Sequence, residues 1–270
     1  MESTSGAGTV SDAGFSSQEC REFQEQGFVV VRGVGSAEAC ARMRDVTRTG
    51  LAQPILPVEY ESDLQYPGAP ASRADSGGDT IRRLKEAHGR DPVFVEWIAG
   101  QPIVARLRQL LGPQVVMPLA HHNCIMTKQP RFSSQTGWHQ DIRYWSFARP
   151  ELVSVWLALG EETTENGCLY VIPGTHRMEF ARDRFDDALF LRPDLPENAA
   201  LIERKVPVPL SPGDVLFFHC RTFHAAGRNH TDLTKYSVVF TFRPLDNPPA
   251  PGSRSGSFPE LLLPGAAPCT

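Results

Sequence analysis

Several features are missing from this sequence, and each absence argues against a class of protein. No apolar run approaches the roughly 20 residues that a membrane-spanning helix requires. The chain has 27 basic and 31 acidic residues, a net charge of -4, and so lacks the basic surplus of a nucleic-acid-binding protein. Its 6 cysteines form no CxxC pair, which argues against a disulfide framework or a structural zinc site. We therefore expect a cytoplasmic protein with reduced thiols and neither nucleic acid nor membrane as a partner.

The composition indicates one globular domain with polar ends. The chain has 270 residues, 41% of them hydrophobic, which is enough for a substantial core. We predict that residues 1–14 are disordered, that residues 15–245 form a single domain, and that residues 246–270 form a Pro/Gly-rich tail that wraps the surface or stays mobile. Residues 53–80 contain several prolines and glycines. We interpret them as a surface loop or as a lid that closes over a substrate.

Capping residues mark the helices of the first half. Ser16 begins a capping-box pattern, and the helix that it opens is predicted to end at Gly27. Ser36 is predicted to begin a second helix. Helical patterns resume with an Asp-Pro pair, which is typical of a helix start, and extend over residues 91–111.

Alternating apolar residues predict strands in the middle of the chain. Over residues 152–159 the alternation places Ser154 and Trp156 on one mixed face, which suits the interior of a barrel. The pair Asn166-Gly167 stands between this run and the next apolar run. Because Asn-Gly is typical of tight antiparallel turns, we expect these two strands to form a hairpin.

The most specific chemical pattern is His139-Gln140-Asp141. On an extended backbone the first and third side chains lie on the same face, so an imidazole and a carboxylate can converge on one metal ion. Together with a later histidine they would form the facial triad of non-heme iron(II) oxygenases. A lone HxD also occurs at surface strand ends. The candidates for the third ligand are His176, His219, His224 and His230, and spacing alone does not separate the second from the third.

Three sequence blocks, in this order, resemble one known family: WHQD, ENGCLYVIPGTHR and PGDVLFFHCRTFHAAGRNHTDLTKYSVVFTFR. This is the phytanoyl-CoA dioxygenase family of iron(II)- and 2-oxoglutarate-dependent oxygenases, and the likeness covers residues 15–245. The resemblance implies a mainly β fold, a double-stranded β-helix or jelly roll with flanking helices. It also implies Fe(II), 2-oxoglutarate as cosubstrate, and O2. The pattern HxxxxNxT that starts at His224 matches the family segment with the third metal ligand, so His224 is favoured and His219 is the fallback.

The resemblance also indicates where the cosubstrate binds. The family commonly has an arginine eleven residues beyond the third ligand, whereas this chain has Lys235, an ammonium without the two-pronged donor of a guanidinium. A hydroxyl residue common in the family is replaced by Ala226. Trp156 and Lys128 are expected to border the 2-oxoglutarate pocket. Arg243, on the same strand face as Lys235, is a second candidate anchor.

The segment after the HxD motif is dense in aromatic residues. If the metal site forms, Arg143, Tyr144 and Trp145 are placed to contact a substrate, although ordinary packing would also account for them.

The resemblance implies a dioxygenase that hydroxylates or otherwise oxidises a small molecule and releases succinate and CO2. Two alternatives use the same barrel. One is a metal-dependent hydrolase that needs no cosubstrate, and the other is a non-catalytic binding protein.

Overall fold

Two antiparallel sheets face each other, and helices cover the outer side of the larger one. The structure, a computed structural model, describes residues 14–265. Its helices are α1 (Ser17–Gln26), α2 (Ala37–Ala52), α3 (Pro92–Ala99), α4 (Gln101–Leu111) and α5 (Pro196–Ile202). Its strands are β1 (Phe28–Val31), β2 (Val58–Tyr60), β3 (Ile81–Lys85), β4 (Val115–Pro118), β5 (Asn123–Lys128), β6 (Thr136–His139), β7 (Val153–Ala158), β8 (Leu169–Val171), β9 (Val206–Val208), β10 (Val215–His219), β11 (His224–Ala226), β12 (Lys235–Pro244) and β13 (Glu260–Leu262).

The strand order shows that sequence neighbours are often not spatial neighbours. The larger sheet runs β1-β10-β7-β12-β5-β3-β2, with β4 and β13 attached beside β12. The smaller sheet runs β6-β11-β8-β9. The chain therefore crosses repeatedly from one sheet to the other, as in a jelly roll, and the predicted fold class is confirmed.

The predicted helix ends are present. Ser16 caps α1 in a capping box and Gly27, with φ of 82°, ends it. Ser36 caps α2. The predicted helical region of residues 91–111 is divided at Gly100 into α3 and α4. These signals were readable because a cap acts on backbone N–H groups only two or three residues away.

The larger sheet has an apolar core on each face. On its outer face Val155 and Leu157 of β7 pack in the cluster that includes the helices, together with Phe217 and Phe240. On its inner face Trp156 packs with residues of the smaller sheet. The alternation predicted for β7 is therefore confirmed, and the inner face lines the barrel.

The predicted hairpin at Asn166-Gly167 is wrong. β7 pairs with β10 and β12, whereas β8 pairs with β11 and β9 in the other sheet. The Asn-Gly turn lies on a crossover between the sheets. Its Gly167 has φ of 82°, and an added Cβ would lie 2.8 Å from Cδ of Lys128. Asn166 does not have a positive φ, so only the glycine has the backbone angle that was predicted for the pair. Strand pairing is a long-range property that the turn did not control.

Both segments predicted as irregular are partly built into the fold. Residues 53–80 contain β2, which pairs with β3, and the buried Glu61. In the tail, β13 pairs with β4, and Leu263 is buried against the core. Most of residues 1–14 lie outside the described residues. Among those described, no helix is both long and apolar enough to cross a membrane.

Candidate metal centre and cosubstrate cavity

His139, Asp141 and His224 come together at one end of the smaller sheet. β6 ends at His139, and a short 3-10 helix (Asp141–Tyr144) starts two residues later. Gln140 between them is extended, with φ of -107° and ψ of 137°, so the two flanking side chains share a face. β11 places His224 directly opposite His139 in the antiparallel register. One ligand atom from each of the three residues lies within 4.8 Å of the others.

Backbone carbonyls orient both imidazole rings. Nδ1 of His139 is 2.9 Å from the carbonyl of Gly137, and Nδ1 of His224 is 3.1 Å from the carbonyl of Thr222. An Nδ1 that donates to a carbonyl leaves Nε2 with a free lone pair for a metal. The two Nε2 atoms lie 3.9 and 3.4 Å from Oδ1 of Asp141. The rings are therefore pre-positioned with their metal-binding nitrogens converging.

Asp141 is held by two neighbours. His122 Nε2 lies 2.9 Å from Oδ1, and Ser154 Oγ donates to Oδ2 at 2.8 Å. Burial of Asp141 opposes ionisation, but the charges of His122 and His224 outweigh it and hold the pKa of Asp141 well below its usual value. Burial would lower the pKa of His122, yet the charge and hydrogen bond of Asp141 raise it to about 9. The aspartate is thus an anion in a fixed orientation.

The donor set fits iron(II). Burial, then the charges of His224 and Arg143, keep the pKa of His139 well below its usual value, so its imidazole is neutral as a metal ligand must be. Two imidazoles and one carboxylate on a barrel form the facial triad of non-heme iron(II) oxygenases. The other histidine candidates lie elsewhere in the described chain. His219 accepts from the backbone of Arg221, and His176 contacts the carbonyl of Gln24.

A cavity extends from the two histidines into the barrel. Its wall includes three predicted cosubstrate residues, Lys128, Trp156 and Lys235, and also Ala226. The first three are at most 8% exposed. Buried ammonium groups beside a metal triad are suited to a carboxylate ligand, because the low dielectric strengthens the attraction between charges.

Lys235 has a partner that the sequence did not suggest. Its Nζ lies 3.0 Å from Oε2 of Glu162 and 3.1 Å from Oγ of Ser237. The other oxygen of Glu162 accepts from Trp156 Nε1 at 2.9 Å and from Ser237 Oγ at 2.6 Å. Glu162 therefore fixes two of the predicted cosubstrate residues at once and neutralises the Lys235 charge.

Lys128 has no such counter-ion. Its Nζ donates to the carbonyl of Ser134 at 2.9 Å, and within the described chain no carboxylate lies within 4.0 Å of it. Burial, followed by the charges of Arg82 and Lys235, holds its pKa well below the usual value. An anion that entered the cavity would raise this pKa, because an opposite charge favours the protonated form.

Arg243, the second predicted anchor, does not line this cavity. Its guanidinium contacts both carboxylate oxygens of Glu260 on β13 and the carbonyls of Pro244 and Leu245. It shares a strand face with Lys235 but lies eight residues along β12, where the C-terminal strand covers it. This placement contradicts a role as cosubstrate anchor, because strand periodicity reports the face of a residue and not its position along the barrel.

A second, more open depression lies on the other side of His139 and Asp141. Arg143, Tyr144 and Trp145, the residues predicted to contact substrate, line it. We call this depression the outer pocket, and the cavity with the lysines the inner cavity. The metal-binding atoms thus lie between two spaces whose linings share Arg83, His122 and His139.

The sequence did not indicate three residues that hold the site in place by contacting Asp141 or Lys235: His122, Ser154 and Glu162. Ser154 could have been found, because its predicted strand face is the one that points into the barrel. His122 and Glu162 had no local signal. Their contacts join residues 19 apart and 73 apart along the chain, and only strand pairing brings these together.

Comparison with known proteins supports the class that the site defines. The model of the family "Phytanoyl-CoA dioxygenase (PhyH)" matches residues 23–236, and the chain belongs to this family. It is 26% identical over 294 residues to phytanoyl-CoA dioxygenase domain-containing protein 1 of Mus musculus, covering 92% of this chain and 97% of that protein. It is 25% identical to ectoine dioxygenase of Sphingopyxis alaskensis, covering 88% of this chain and 79% of that protein.

A solved structure agrees in fold. EctD from S. alaskensis with bound Fe superposes with a TM-score of 0.72 at 23% identity, covering 90% of this chain and 81% of that one. Family membership and the His-Asp-His centre together make this chain an Fe(II)- and 2-oxoglutarate-dependent dioxygenase. The fold class, the cofactors and the enzyme class predicted from the sequence are thereby confirmed.

Proposed function

We propose that this dioxygenase hydroxylates a C–H bond of a small molecule bound in the outer pocket, with 2-oxoglutarate in the inner cavity. One observation carries the proposal: the ligand atoms of His139, Asp141 and His224 lie between the two spaces, and His139 lines both. The relatives named above support a small-molecule substrate, since one of them is an ectoine dioxygenase. The free cysteines of the described chain support a cytoplasmic location.

We assign the metal to His139, Asp141 and His224. Bound iron would supply O2 activation coupled to oxidative decarboxylation of 2-oxoglutarate to succinate and CO2. The chain supplies orientation: Gly137 and Thr222 carbonyls hold the two rings. Ser154 fixes the carboxylate rotamer and keeps one oxygen occupied.

We assign the distal carboxylate of 2-oxoglutarate to Lys128 and Lys235, with Trp156 as a wall. Lys128 is the stronger anchor in this proposal, because Glu162 already neutralises Lys235. The charge of Lys235 is one of the causes that lower the pKa of Lys128, after burial and the charge of Arg82. A carboxylate between them would relieve that repulsion.

The alternative of a metal-dependent hydrolase has less support. A hydrolase that used the same metal ligands would not need the buried side chains of Lys128 and Lys235 beside the metal, because its nucleophile is a metal-bound water. A non-catalytic binding protein would have no need of a converging, carbonyl-oriented ligand set. Both alternatives predict activity or binding that is independent of 2-oxoglutarate.

The test is anaerobic addition of Fe(II) and 2-oxoglutarate to the purified protein, followed by visible absorption. We expect the weak charge-transfer band of the iron chelate in the wild type and its loss in His224→Ala. His219→Ala is the matched control, because it removes a partly buried histidine outside the centre and should keep the band. Folded wild-type protein with bound iron but no band would refute the assignment of the cosubstrate.

A further inference from the structure

The outer pocket carries an excess of positive charge. Four cationic residues line it, Arg83, Lys85, Arg143 and Arg254, against Glu86 and the proposed metal ligand Asp141. Glu59 is shared by two of the cations: Arg83 Nη1 lies 3.3 Å from it and Lys85 Nζ 3.4 Å. In the part of the chain that the structure describes, no carboxylate lies within 4.0 Å of Arg143 or Arg254.

Arg143 is held in place without being neutralised. Its guanidinium carbon lies 4.1 Å from the ring centre of Phe190 and 4.7 Å from that of Tyr144. One N–H group donates to the carbonyl of Ala188 at 3.1 Å, and another approaches the hydroxyl of Tyr66 at 3.4 Å. A guanidinium has five N–H groups, so those left over can donate to a ligand. A guanidinium that is fixed in place and still has free N–H donors is well suited to bind the oxygens of a carboxylate or phosphate group.

Arg143 also lies close to the reacting centre. It lies two residues beyond Asp141 on the same 3-10 helix and lines the outer pocket together with His139. The ring of Phe190, which stacks under the guanidinium, lies 5.7 Å from the ring of His139. A ligand that accepts hydrogen bonds from Arg143 would therefore have its neighbouring carbon atoms beside the metal ligands.

Arg254 and an aromatic wall stand at the other side of the pocket. Trp145 packs against His121 with ring centres 4.8 Å apart, and His121 contacts Ser255 at 2.8 Å. This contact anchors the C-terminal segment that carries Arg254, whose charge helps to lower the pKa of His121, after burial and His122. The wall thus combines apolar rings with a second unpaired cation.

We propose that the substrate of this enzyme is an oxyanion: a small molecule whose carboxylate or phosphate group is bound by Arg143 and whose apolar part packs on Trp145, with Arg254 adding positive charge at the other side of the pocket. The proposal rests on the proposed function, since it names the ligand class of the outer pocket. It would make Arg143 a specificity-determining residue. A neutral analogue of the same shape would leave the guanidinium desolvated without a partner.

Anion binding can be measured with small probes before the substrate is known. The protein is first saturated with Fe(II) and 2-oxoglutarate under anaerobic conditions, so that the inner cavity is filled and its charge-transfer band is visible. Benzoate, phenyl phosphate and neutral benzamide are then titrated, and the Kd of each is taken from tryptophan fluorescence and from the shift of the band. Of benzoate and phenyl phosphate, the one that binds more tightly should have a Kd at least about tenfold lower than that of benzamide. A hydrogen bond to a charged group changes affinity by about this factor.

Three variants make the result specific to the pocket. Arg143→Gln should bring the anion Kd to that of benzamide, Arg143→Lys should restore part of the difference, and Arg254→Gln should weaken anion binding less. Arg21→Gln is the matched control, because it removes an equal charge from the exposed face of α1. Equal Kd values for anion and benzamide in the wild type would overturn the proposal, as would anion binding that Arg143→Gln leaves unchanged. If the band itself never forms, the proposed function fails instead.

Discussion

The buried pair of Lys235 and Glu162 leads to a quantitative prediction about stability. The two side chains are 3% and 0% exposed and their charged atoms lie 3.0 Å apart. At an effective dielectric constant of about 20, charges at this distance attract each other by about 5 kcal/mol. Lys235→Met removes the cation and leaves a buried carboxylate with only the neutral donors Trp156 and Ser237. We expect the free energy of unfolding to fall by about 3–5 kcal/mol.

A double-mutant cycle separates the pair from the loss of packing. Glu162→Gln keeps the shape of the side chain and removes its charge, so the double variant Glu162→Gln/Lys235→Met has no unpaired buried ion. We expect the double variant to recover at least about 1 kcal/mol relative to Lys235→Met alone. The assay is urea unfolding of metal-free protein followed by circular dichroism. Lys205→Met, at an exposed position, is the matched control and should change the free energy by less than about 0.5 kcal/mol.

Two outcomes would refute this reasoning. If Lys235→Met costs less than about 1 kcal/mol, the carboxylate of Glu162 is not isolated from water as the structure shows. If the two single changes simply add, with an interaction energy near zero, the charges do not interact. In either case Glu162 would not neutralise Lys235, and the ranking of Lys128 above Lys235 as cosubstrate anchor would lose its basis.

The remaining predictions concern metal, cosubstrate and core. Fe(II) at about 100 times its Kd should raise the free energy of unfolding by about 2.7 kcal/mol in the wild type and by far less in His224→Ala, measured by anaerobic urea unfolding; equal gains would place the metal elsewhere. Lys128→Met should raise the KM for 2-oxoglutarate at least about tenfold in a succinate-release assay, whereas Arg243→Met should leave it within about twofold; the reverse order would restore Arg243 as the anchor. Phe217→Ala, in the core under the helices, should destabilise by about 3–5 kcal/mol in urea unfolding; a loss under about 1 kcal/mol would contradict its burial.

Local signals account for the parts of the fold that could be predicted. The caps of α1 and α2, and the division of inner and outer faces on β7, depend on residues at most a few positions apart. The same holds for the shared face of His139 and Asp141, which needs only that Gln140 be extended. The failed hairpin shows the limit: the Asn-Gly turn formed, but β8 paired in the other sheet.

The sequence by itself determined the chemical inventory: an HxD motif and several histidines downstream. Only resemblance to a family indicated that Lys128 and Lys235 lie beside an anionic cosubstrate. The sequence left His219 and His224 unseparated by spacing, and only resemblance to a family favoured one of them. The tertiary structure brings His224, and not His219, to His139, because β11 pairs with β6 whereas β10 pairs with β7. It also decided that Arg243 contacts Glu260 and that Glu162 neutralises Lys235. These outcomes depend on strand pairing between distant residues, which side-chain periodicity along a single strand does not encode.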